Sequence, residues 1–108
     1  MRPSVAKRIQ IPIKEQKLVW GFAAARCSKP DCRILCVAVA KGNDPNVTIG
    51  EIAHIHSYSD DGPRPNKALS LKDRNGYSNL ILLCANHHAE VDGQENTYSV
   101  DVLVQWKQ

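Results

Sequence analysis

The pair Cys27-x4-Cys32, answered far along the chain by Cys84-x2-His87, constrains this sequence more than any other feature. Each pair is close enough for both side chains to reach one cation. Together they supply three thiols and an imidazole, the kind of donor set that tetrahedral Zn²⁺ takes in closed structural sites. The competing reading is four unrelated buried residues, because cysteine is among the most buried residue types. Redox context favours metal over disulfides. The basic start Met1-Arg2-Pro3 leads into an interrupted IQIPIK stretch rather than a signal core, so the thiols are expected reduced, in the cytoplasm. A chain of 108 residues makes one small domain that buries only about two-thirds of its unfolded surface, and a structural metal is a useful staple for it. Cys36, inside the apolar run ILCVAVA, is expected to pack in the core instead.

No apolar run approaches the roughly 18 residues that cross a bilayer, so no membrane partner is expected. The net charge of +3 is too small to argue for nucleic acid by itself, but its distribution is uneven. Arg2, Lys7, Arg8, Lys14 and Lys17 face only Glu15 near the start. Arg64, Lys67, Lys72 and Arg74 face only Asp73 in a later loop, whereas Glu90, Asp92, Glu95 and Asp101 stand without a basic neighbour. A basic arm over residues 1–13 and a basic loop can track phosphates, and an acidic segment can hold a cation; solvated surface is the alternative for each.

Periodicity predicts a helix over residues 14–26 with Leu18, Phe22 and Ala25 on one face. Strands are predicted over 34–40 and 47–56, paired as a hairpin. Residues 57–78 are turn-rich and read as a long loop with one helical turn near 70–74; a loop of that length in so small a domain is usually functional or mobile. An apolar strand over 79–83 then leads into a short helix over 85–92, broken at 93–97. Ser99 is placed to cap a last helix bearing Val100, Leu103 and Val104. That helix reaches Gln108 without a stop signal, which predicts that the chain is the front part of a longer protein, a frayed terminal helix being the alternative.

His54 lies near the end of the strand EIAHIH, Asn79 precedes the strand NLILLC, and His88 follows the proposed zinc ligand His87. This order resembles the HNH endonuclease family over residues 20–106, most strongly in residues 52–55, in Gly62-Pro63-Arg64 and in residues 79–92. The combination GEIAHI, DGPR, NLILLCANHH and a closing WK is similar to the subgroup fused to SAVED sensor domains in bacterial cyclic-oligonucleotide anti-phage defence (CBASS). The resemblance implies an α+β fold, a small zinc-stapled ββα-metal core with flanking helices occupying residues 14–108. It implies hydrolysis of double-stranded DNA around one divalent cation, Mg²⁺ or Mn²⁺. It also implies a sensor domain beyond Gln108, whose ligand would gather several copies of the chain.

The residue types suit those roles. His54, a neutral imidazole near pH 7, can take a proton from the attacking water as general base. Asn79 can accept the imidazole N–H and fix its tautomer. His88 and Asp92, at i and i+4, can grip the catalytic cation. Arg64 and Lys67 are candidate phosphate contacts. One position departs from the family's pattern: Ala53 stands where most members place a metal-binding Asp. Asp92 is the candidate replacement, because Glu90 points off the His88 face and pleat alternation puts Glu51 opposite His54. His56 shares the strand face of His54 and is an alternative base or ligand. Trp20 and Trp106 are expected to pack in the core or against a missing domain. Two rivals remain: a stand-alone or restriction-type HNH nuclease, and a zinc-binding interaction module without catalysis.

Overall fold

A computed structural model describes residues 10–108; the basic arm expected over 1–13 lies largely outside them. The strand that organises the fold is β4 (Leu80–Cys84), whose residues Leu80, Ile81, Leu82 and Leu83 are all buried. A run that is apolar at every position needs cover on both faces, so β4 pairs on one edge and is packed above and below. Its partner is β3 (Gly50–His54), antiparallel, in a register that runs from Gly50 opposite Cys84 to His54 opposite Leu80. The helix α3 (Ala85–Gly93) follows β4 directly, giving a strand–strand–helix unit, and buries Val91. With Ala53, Ile55, Val19 of α1 (Ile13–Phe22) and Leu103 of α4 (Val100–Lys107), these side chains form the core. The fold is therefore α+β, with two small antiparallel sheets and flanking helices.

The predicted hairpin is realised only in part. The strand expected over 34–40 shrinks to β1 (Val37–Ala38), which pairs with β2 (Val47–Thr48). Ile34, Leu35 and Val39 remain exposed, while Cys36 is fully buried as expected. The remainder of the 47–56 segment leaves that hairpin for β4, which offers far more apolar surface to cover. Gly50 permits the switch. A Cβ there would stand 2.6 Å from Cys36 Cβ and 3.2 Å from Leu82 Cδ1, too close for any other residue.

The first helix is also shorter than its periodicity predicts. It ends at Phe22, and Ala24 and Ala25 take left-handed φ values of 54° and 59°. Two such residues in succession are costly without glycine. They turn the chain so that Cys27 N–H bonds Ile34 O at 3.0 Å and Ser28 N–H bonds Leu82 O at 2.9 Å, which seats Cys27 beside the end of β4. The buried face of α1 consequently centres on Val19, and Phe22 is 74% exposed, its ring beside that of Tyr77. The expected helical turn near 70–74 is α2 (Leu71–Arg74), with Ser70 Oγ accepting from Asp73 N–H. Ser99 caps α4 as expected by accepting from Val102 N–H. Leu103 is buried there and Val104 is exposed. Trp20 and Trp106 are half-buried against the core. Among the described residues no helix is long and apolar enough to cross a membrane.

Candidate metal centre and cleft

The first knuckle sits on the turn after α1, where Cys32 N–H bonds Lys29 O, and the second straddles the junction of β4 and α3. Their ligand atoms, one each from Cys27, Cys32, Cys84 and His87, lie within 4.8 Å of one another. His87 Nδ1 is 3.6 Å from Cys27 Sγ and 3.2 Å from Cys84 Sγ. Tetrahedral zinc with ordinary Zn–S and Zn–N bonds separates sulfur from nitrogen by roughly 3.6 Å. The four residues singled out by spacing thus form a cluster that can hold a metal ion. Burial pushes the Cys27 thiol up to about 11, so a metal must displace its proton to bind there. Glu90 Oε2 lies 3.8 Å from His87 Nε2, and Glu90 also accepts from Tyr98 OH, which keeps this carboxylate at the metal cluster and off the His88 face.

A second feature involves the neighbouring residues of α3. A cleft of about 680 Å³ is lined by Gln16, Trp20, His54, Tyr58, His88 and Asp92 among others. The last residue of β3 and one face of α3 supply its imidazoles and its carboxylate, because β3–β4 pairing and the helix that follows bring these elements together. His88 Nε2 is 3.1 Å from Asp92 Oδ2. Two cis ligands of an octahedral cation at metal–ligand distances of about 2.1 Å stand roughly 3.0 Å apart, so this nitrogen–oxygen pair suits one edge of a Mg²⁺ or Mn²⁺ shell. The bond to Asp92 raises the His88 pKa, with Glu51 adding to it and burial opposing. Burial pushes the Asp92 carboxyl up, but its bonds to His88 and Arg64 outweigh that and hold it below the ordinary range.

Several positions differ from expectation. Asn79 is not the partner of the His54 ring. Its Oδ1 accepts from His56 N–H at 2.8 Å, and its Nδ2 donates to the carbonyls of His56 and Arg74 at 2.9 Å each. Asn79 therefore pins the chain leaving β3 to the end of α2. The ring of His54 donates through Nε2 to Asn75 Oδ1 at 2.8 Å and lies beside Tyr58. His56 turns away from the cleft: its Nδ1 donates to Arg64 O, and it lines a different cavity with Asn79 and Val104. Strand alternation does not extend to His56, because β3 ends at His54.

Arg64 does not present a basic tip to solvent. It is 7% exposed, and its guanidinium donates to Ile55 O at 2.7 Å, Val91 O at 3.0 Å and Asp92 Oδ1 at 2.8 Å. It ties the end of β3 to α3 and holds Asp92 in place. Lys67 is exposed and available to a phosphate. Glu51, set aside on pleat grounds, reaches α3: its Oε1 accepts from His88 Nδ1 at 2.6 Å. Asn75 and Glu51 are thus contacts that strand alternation and motif order do not reveal. No local signal marks either one, because Asn75 lies 21 residues from His54 and Glu51 37 residues from His88. No protein-family model matches the chain, and no curated protein matches it either.

Proposed function

We propose that this chain is a metal-dependent endonuclease of the HNH kind that hydrolyses phosphodiester bonds in double-stranded DNA. The observation that carries the reading is that His54 at the end of β3 and the His88–Asp92 pair on α3 line one open cleft. His54, held through Nε2 by Asn75 Oδ1, is the residue that would take the proton of an attacking water as general base. His88 and Asp92 are the residues that would hold Mg²⁺ or Mn²⁺, with water and phosphate oxygens completing the shell. When bound there, the cation neutralises charge on the phosphate and the departing 3′ oxygen. Arg64 keeps Asp92 aimed into the cleft. Zinc on Cys27, Cys32, Cys84 and His87 fastens the start of α3 to the chain leaving α1. Lys67 and the basic residues before α1 supply sequence-independent affinity for the backbone. In the setting that the resemblance implies, a cytoplasmic defence protein, a sensor domain gathers copies of this domain on one duplex.

A non-catalytic binding module is the second reading. It is favoured by one observation: Ala53 offers no ligand, and both Asp92 oxygens already face Arg64 and His88. A titration of Mg²⁺ and Mn²⁺ against zinc-loaded protein on a labelled duplex separates the two. The nuclease produces cation-dependent product. Binding that weakens with salt and yields no product at any cation concentration makes it the module.

A further inference from the structure

We infer that Glu51 is a positioning residue that sets which nitrogen of His88 faces the catalytic cation, an inference that rests on the cation-site reading above. Three observations converge on it. Glu51 Oε1 meets His88 Nδ1 at 2.6 Å, while His88 Nε2 faces Asp92. Imidazole nitrogens point in nearly opposite directions, so the carboxylate on Nδ1 cannot share a cation with Nε2 and acts only through the ring. Glu51 also belongs to β3, whose register against β4 is fixed over five residue pairs, whereas His88 sits one turn into a nine-residue helix. The contact therefore references the ligand to the strand that carries His54. Holding Nδ1–H leaves Nε2 as the ligand nitrogen, the arrangement in which an outer carboxylate orients a metal-binding histidine and raises its basicity. It also gives Ala53 a physical context: β3 supplies its acidic group two residues earlier, acting behind the ligand instead of as one.

The test is Mn²⁺ binding to zinc-loaded protein, followed by loss of the free-Mn²⁺ electron paramagnetic resonance signal, in wild type, His88→Ala, Glu51→Ala and Glu51→Gln. Zinc content and thermal midpoint are measured alongside; the Glu51 side chain is half exposed, so its variants are expected to fold. His88→Ala should lose the Mn²⁺ site. Glu51→Ala should weaken it about 10- to 100-fold. Glu51→Gln, whose amide oxygen still accepts Nδ1–H, should recover most of that loss. Two-bond ¹H–¹⁵N spectra with Mg²⁺ should show the Nδ1–H tautomer of His88 in wild type and Glu51→Gln, and not in Glu51→Ala. Unchanged Mn²⁺ binding in His88→Ala overturns the cation site and this inference with it. A loss in His88→Ala with none in Glu51→Ala overturns the positioning role alone, as does equal impairment of Glu51→Ala and Glu51→Gln.

Discussion

Replacing Arg64 by Met keeps the aliphatic stem and removes every donor of the guanidinium. The Ile55 and Val91 carbonyls, bonded at 2.7 Å and 3.0 Å, then lose a charged partner at a side chain only 4% exposed. Hydrogen bonds from charged groups contribute about 1.5–3 kcal/mol each. The ion pair with Asp92 adds less, because that carboxylate is 36% exposed and solvent screens it. The expected loss is about 3–6 kcal/mol, a large share of the roughly 5–15 kcal/mol that holds a domain of this size together. At about 4–8 °C per kcal/mol the thermal midpoint should fall by at least about 12 °C. Thermal or urea unfolding of zinc-loaded Arg64→Met and Lys67→Ala measures this, with Lys67→Ala expected within about 0.5 kcal/mol of wild type. An Arg64→Met midpoint within a few degrees of wild type, together with weakened DNA affinity and a shallower salt slope, would refute the internal role and restore Arg64 as a phosphate contact.

Chelating the metal at the four-residue cluster, or replacing Cys84 by Ser, should unfold the domain, read as loss of the far-ultraviolet circular dichroism signal; a folded metal-free protein would contradict the staple. Asn79→Ala should cost stability, about 2–4 kcal/mol for three backbone bonds lost at a buried amide. Asn75→Ala should instead slow cleavage more than it lowers the midpoint, which parallel denaturation and cleavage assays distinguish. Burial pushes the Lys107 ammonium down to about 8 from the ordinary lysine value of 10.5. The unfolded chain then binds more protons than the folded one between those values, so this group makes stability rise with pH there. The urea midpoint of wild type should rise relative to that of Lys107→Met from pH 8 to 10, and parallel curves would contradict it.

The metal cluster was legible because ligand spacing is a local property: each knuckle needs only a turn or one helix start, and the sequence contains both. The last two helices were legible for the same reason, through Ser99 and the break after Gly93. What escaped was set by competition between distant segments. The run over 34–40 has every local mark of a buried strand, yet β4 takes β3 as its partner and leaves Ile34 and Val39 in solvent. The end of α1 escaped because Ala24 and Ala25 adopt left-handed backbone without glycine, a conformation imposed by the need to deliver Cys27. His54, His88 and Asp92 line one cleft, but the residues bonded to them do not follow from motif order. Asn75 stands where Asn79 was expected, Glu51 crosses from the strand, and a loop arginine expected to face solvent is buried beneath Asp92. Side-chain reach across an interface has no period in sequence.

Cleavage of supercoiled plasmid reports directly on His54 as the proposed base of a metal-dependent nuclease. Wild type and His54→Ala, matched in zinc content and thermal midpoint, are compared at low salt in Mn²⁺, Mg²⁺ or EDTA. Nicking by wild type that requires the cation and disappears in His54→Ala is the predicted result. Equal nicking by both proteins, or none by either under every condition, would contradict it.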